Sequence, residues 1–177
     1  MSEAGALRLE GSAVPRDLGR YPRGDDALGL SLFEMVAKAL SRGRPAPAVF
    51  LFSSEMVDRF PYRGLVQFKG AARQRLLGAI AGSDTAECMA IIGAFRFSGR
   101  GPLNGHWVAS VFIEWPDNRW WTAWQPLGPE GQLVGDSPQI RTAADGSPRP
   151  GGVGGWFALA RRKNLRLRVN RDRLPVH

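Results

Sequence analysis

His106–Trp115 reads HWVASVFIEW, and this run decides the fold. Strict alternation places Trp107, Ala109, Val111, Ile113 and Trp115 on one side of a strand. His106, Val108, Ser110, Phe112 and Glu114 fall on the other. Pro116-Asp117-Asn118 then supplies a turn, and Arg119–Gln125 (RWWTAWQ) returns as the antiparallel partner. Five tryptophans in one hairpin bury a large area, which predicts a place at the centre of a sheet.

Working outward, other segments supply the rest of a layered domain. Leu28, Leu32, Met35, Val36, Ala39 and Leu40 recur at helical spacing, with Glu34 and Lys38 on the opposite side. Asp25 and Asp26 suit the helix start, and Ser41-Arg42-Gly43 followed by Pro45 ends it. Ala48–Ser53 (AVFLFS) is a short, wholly apolar run that fits a strand buried on both faces. Gly64–Lys69 (GLVQFK) predicts a shorter strand, and Ala71–Ala81 a second helix with Leu76, Leu77 and Ile80 inward. Cys88–Phe97 (CMAIIGAFRF) resumes a buried strand.

The expected fold is therefore α+β: a single domain built on a mostly antiparallel sheet of about five or six strands. It has a Trp-rich hairpin at 106–125 and two main helices at 28–40 and 71–81. Four regions divide the chain: an extended arm at 1–27, the core at 28–127, a Gly/Pro-rich mobile loop at 128–155 and a basic C-terminal strand or arm at 156–177. The loop assignment rests on composition, since 12 of its 28 residues are Gly or Pro. Leu165, Leu167 and Val169 alternate with Arg166, Arg168 and Asn170, giving a strand with one apolar and one basic face. Helix is the alternative for Phe157–Lys163.

Charge is concentrated at one end. The formal net charge is +8, from 24 basic and 16 acidic residues. Residues 161–177 alone hold seven basic groups and one acid, a net of +6. The remainder of the chain is nearly neutral. Such asymmetry points to an anionic partner, nucleic acid or an acidic protein surface. Arg161, Arg162, Lys163, Arg166, Arg168, Arg171 and Arg173 are the candidate contacts. Guanidinium forks suit phosphate oxygens, while the competing reading is an edge strand whose charges prevent aggregation. Trp121 and Trp124, on opposite faces of their strand, are the candidate aromatic contacts, with Arg119 able to stack beside Trp121.

Function classes narrow accordingly. No apolar run approaches the roughly 20 residues of a membrane-spanning helix, so no membrane insertion is expected. The N-terminal residues lack the pattern of a secretory signal, which makes a cytoplasmic location the default expectation. One cysteine excludes an intrachain disulfide and a cysteine-built zinc site. The glycine cluster at 151–155 lacks the lysine of a phosphate-binding loop, and no cofactor or metal is expected.

Cys88 and His106 form the one candidate thiol–imidazole pair inside the chain, with Glu114 or Asp117 as the group orienting the ring. Against it, Cys88 opens an apolar run, as buried cysteines do. Gly105–Trp121 (GHWVASVFIEWPDNRWW) resembles the histidine strand of papain-like cysteine peptidases and deubiquitinases. Ser31-Leu32-Phe33 resembles the Cys-Leu-Phe that opens the catalytic helix of ovarian-tumour-type deubiquitinases, with Ser31 where the nucleophile stands. This resemblance implies a papain-like fold without standard chemistry. Ala71–Gly93 is similar to the helix and glutamate-led strand of JAMM-type metalloproteases, with Glu87 at the acid position. The two downstream histidines of that family have no counterpart here, so the resemblance implies a metal-free scaffold.

Two expectations of different class follow. The favoured one is a non-enzymatic binding or assembly protein, an accessory subunit of a larger assembly, whose basic C-terminal segment engages nucleic acid or an acidic protein. The alternative is a papain-like or other thiol-type hydrolase, diverged or inactive, using His106 with Cys88 or Ser31.

Overall fold

The computed structural model describes residues 25–53, 57–61, 71–82, 85–97, 103–146 and 154–162. Helix α1 (Asp25–Leu40) leads into β1 (Ala48–Ser53) and β2 (Val57–Pro61), followed by α2 (Ala71–Gly82). Four strands come next: β3 (Ala86–Arg96), β4 (Trp107–Glu114), β5 (Trp120–Pro126) and β6 (Gln139–Thr142). A 3-10 turn (Ala143–Asp145) follows β6, and residues 156–162 are helical. The predicted strand at 64–69 and everything from Lys163 onward lie outside the described residues.

The six strands form one sheet in the order β2-β1-β3-β4-β5-β6, with every neighbouring pair antiparallel. This is the α+β architecture expected from the sequence, with a Trp-bearing hairpin and both main helices present. The centre of the sheet is the β3–β4 ladder, so the hairpin supplies one central strand and one nearer the edge.

Alternation along the strands creates two cores. On one face, Phe50, Phe52, Ala90, Ile92, Val111, Ile113 and Trp121 pack under α1 through Leu28, Leu32, Phe33 and Val36. On the other, Val49, Leu51, Met89, Ile91, Phe112 and Trp120 meet Leu76, Leu77 and Ile80 of α2. Trp156, Phe157 and Ala160 join this second core. All six residues of β1 are buried, which is why its sequence carries no polar face.

Two glycines permit the close fit. A Cβ on Gly29 would lie 2.5 Å from the Trp121 ring, so its absence lets α1 rest on the indole. Gly93 has φ 144° and stands where a Cβ would come 2.7 Å from the Pro47 Cα. That approach matches the bond from the Ala94 amide to the Pro45 carbonyl at 3.1 Å.

The segment assigned to a mobile loop is only partly so composed. Leu127 and Leu133 form an isolated bridge, the Gly128 amide donates to the Gln132 carbonyl at 2.8 Å, and β6 pairs fully with β5. The buried Gln125 amide donates to the carbonyls of Gly135 at 2.6 Å and Val134 at 3.3 Å, pinning the turn to the sheet. Sequence reasoning weighted the Gly and Pro content and missed this side-chain clasp, which composition does not encode.

Candidate functional site at the C-terminal helix

The start of the basic segment is a helix over residues 156–162, the alternative the sequence offered for Phe157–Lys163, and not the strand or arm expected from 156. Trp156, Phe157 and Ala160 recur at i, i+1 and i+4, which places all three on one helical face against the second core. Strand periodicity would have exposed one of the two adjacent aromatics; the helix buries both.

Glu114 fixes the beginning of this helix. Its side chain is fully buried at the end of β4, and its Oε2 accepts the Trp156 amide N–H at 3.4 Å. The Arg73 guanidinium of α2 lies 5.6 Å from the centre of the Trp156 ring. Read from the sequence, Glu114 belongs to an ordinary polar face shared with His106. The structure corrects this: that face carries Val108 and Phe112 and is covered by helices, so Glu114 is enclosed. The available signal was the apolar character of both faces of the strand, which leaves no solvated side for a glutamate.

The helix delivers Arg161 to the β4–β5 turn. The Arg161 guanidinium donates to the Pro116 carbonyl, and its Nε to the Phe157 carbonyl at 3.4 Å. Arg161 and Arg162 are both exposed. In the turn itself, Arg119 pairs with Asp117 at 2.6 Å and lies 5.2 Å from the centre of the Trp115 ring. The hydrogen bond from the Arg119 side chain is the main cause holding the Asp117 carboxyl below its ordinary value. Arg161 and Arg119 thus meet at the β4–β5 turn, with Asp117 paired to Arg119 and the exposed Glu87 at the same end of the sheet. The arrangement is chemically suited to bind anions. The remaining candidate contacts, Lys163, Arg166, Arg168, Arg171 and Arg173, lie outside the described residues.

The aromatic contacts divide. Trp121 is completely buried beneath α1, where its indole N–H donates to Asp26 at 2.7 Å. It is therefore core and not a stacking surface, and Arg119 stacks on Trp115 instead. Trp124 is half-buried on the opposite face, between Ser110 and Gln139.

The candidate catalytic residues are not brought together. Cys88 is 1% exposed on the α1 face of β3, facing Phe52 in the neighbouring strand. Met89 pairs with Glu114 while Arg96 pairs with Trp107, so Cys88 and His106 occupy opposite ends of the ladder. Nine strand steps separate them, about 30 Å. Glu114 is distant from His106 for the same reason and cannot orient its ring. Ser31 lies on α1 between Gly29, which meets Trp121, and Met35, which lines a small cavity together with Ile92. That level corresponds to residues 111–113 of β4, about 15 Å or more along the strand from His106. Glu87 is exposed at the start of β3, and no cluster of metal-ligating side chains occurs among the described residues. Among those residues no helix is long and apolar enough to cross a membrane.

Comparison of the chain with protein-family models, with curated proteins and with solved structures gives no match.

Proposed function

We propose that this chain is a non-enzymatic binding or assembly protein whose basic C-terminal segment engages nucleic acid or an acidic protein surface. The observation that carries the reading is the seating of residues 156–162. A short helix, held by Glu114 at its start and by Phe157 and Ala160 in the core, carries Arg161 and Arg162, the first two of the seven basic residues that give 161–177 a net charge of +6. Arg161 and Arg162 are thereby fixed on the body, and a partner that met them would also meet the charge that follows in sequence. The separation of Cys88 and Ser31 from His106 favours binding over thiol or serine hydrolysis.

Membership of a larger assembly, at a cytoplasmic location, belongs to the same proposal. Strand β6 offers the exposed Ile140 at one edge of the sheet, a surface that a neighbouring subunit would cover.

The test is a salt titration of binding to single-stranded DNA, duplex DNA, RNA and a polyglutamate peptide. It compares the full chain with a variant carrying Arg166→Glu, Arg168→Glu and Arg171→Glu. Contacts to phosphate should appear as a loss of about 0.7–0.9 log units of affinity per contact per decade of salt. The variant should lose most of that slope. Equal binding by both proteins would refute the reading, and preference for polyglutamate would select the acidic-protein version.

A further inference from the structure

We infer that the opposite end of the sheet carries a second binding surface, formed by Arg42, Arg44, Arg96, His106 and Phe97, that takes single-stranded nucleic acid. This goes beyond the C-terminal segment, because the two surfaces share no residue. Trp107 begins β4 and Glu114 ends it, so about 23 Å of strand lies between them.

The surface is organised around Trp107. Arg96 is the cross-strand partner of Trp107, and the Arg44 guanidinium sits 4.9 Å from the centre of its ring. Each arginine is held by one backbone carbonyl: Arg44 by that of Pro129 at 3.4 Å, Arg96 by that of Gly105 at 3.1 Å. A guanidinium has five N–H donors, so one such bond orients the group and leaves donors for a ligand. Arg42 stands two residues earlier, past the end of α1, and all three arginines are exposed. None of them takes part in an ion pair among the described residues. Glu130, exposed and next to the Pro129 whose carbonyl Arg44 engages, sets one carboxylate against these three arginines.

Aromatic surface lies on the same rim. Phe97 is 41% exposed although it is a large apolar side chain, and two backbone bonds fix its position: Phe97 amide to His106 carbonyl, and Gly105 amide to Phe97 carbonyl. His106 is exposed beside it, on the side of the ladder opposite Arg96 and Trp107. Cations on one side of a rim and flat rings on the other fit a strand whose phosphates and bases point in different directions. A duplex hides its base faces, and a polyanionic peptide without aromatic or apolar side chains would engage the arginines but not the phenyl ring on the other side of the rim. Single-stranded nucleic acid uses both features.

The experiment measures fluorescence anisotropy of a labelled oligothymidylate of about 20 nucleotides with the full chain. Three variants are compared: Arg42→Glu with Arg96→Glu, Phe97→Ala, and Arg166→Glu with Arg168→Glu. Circular dichroism melting verifies that each is folded, and Arg44 is left in place because it supports Trp107 and the Pro129 turn. At about 0.1 M salt the Arg42/Arg96 variant should bind about tenfold or more weakly, with a salt slope smaller by about 1.4. Phe97→Ala should weaken binding about tenfold with its salt slope unchanged. Unchanged affinity in both rim variants, with loss in the tail variant, overturns this inference and leaves the C-terminal reading standing. Loss in the rim variants alone does the reverse. Displacement of the oligonucleotide by polyglutamate at equal charge concentration, or no binding by the unmodified chain, also overturns it.

Discussion

Trp121 donates its indole N–H to the Asp26 carboxylate at 2.7 Å, joining the second residue of α1 to a strand 95 positions later. The same ring lies against Gly29, one turn further along the helix. A hydrogen bond and a steric fit therefore set the position of α1 over the sheet, through a side chain that is itself fully buried.

Gly29→Ala should accordingly be more harmful than its exchange for a better helix former suggests. The added methyl has no room beside a ring hemmed in by the core, so overpacking of about 1–3 kcal/mol outweighs the gain in helix propensity. Asp26→Ala should cost about 1 kcal/mol through the lost hydrogen bond. Urea denaturation measures both; a Gly29→Ala protein as stable as the parent would show that α1 does not rest on Trp121.

Glu114→Ala should release the start of the C-terminal helix. The Trp156 amide then loses its carboxylate acceptor inside the core, at a cost of about 1–3 kcal/mol. Hydrogen exchange at residues 156–162 is the readout, and faster exchange there than in β1 or β3 is expected. Uniform acceleration across the sheet would mean that Glu114 supports the whole fold and not this anchor.

Cys88 should resist thiol reagents in the native protein. With 1% exposure on a central strand, it reacts only through opening of the core, so labelling should follow the unfolding equilibrium. His106→Ala should leave that rate unchanged, because the imidazole lies at the far end of the ladder. Rapid labelling at neutral pH that slows on His106→Ala would restore the thiol–imidazole pair.

Asp117 predicts a small acid-side effect. Its carboxyl is held below 3.8, chiefly by Arg119, so the folded form binds its proton more weakly than the unfolded chain. The stability it adds is present above that ordinary value and disappears as pH falls through the depressed one. Because the pair is about half exposed, solvent screening limits the contribution to about 0.5 kcal/mol or less. Comparing Asp117→Asn with the parent by thermal melting at pH values above and below 3.8 should show the difference vanish on the acid side.

Much of the fold is legible in local pattern. The alternation in His106–Trp115 assigns each β4 residue to the face it occupies, and the uniform apolarity of Ala48–Ser53 announces a strand covered on both sides. These signals survive because a strand's side chains report directly on what lies above and below them. Helix spacing in Leu28, Leu32 and Val36 works in the same way. The candidate contacts are less legible. Arg161 and Arg162 are recognisable as a charge excess, yet the short spacing of Trp156, Phe157 and Ala160 does not tell which core they join.

The sequence by itself determined the class of the fold, the faces of its strands and the place where positive charge gathers, since each follows from residues within a few positions of one another. Tertiary structure alone decided which separated residues meet. It buried Trp121 against Asp26, enclosed Glu114 at the start of a helix 42 residues later and set Arg44 over Trp107. It also placed Cys88 and His106 at opposite ends of one ladder. Strand order and register fix such distances, and they depend on the simultaneous packing of the whole sheet, which no single stretch of residues contains.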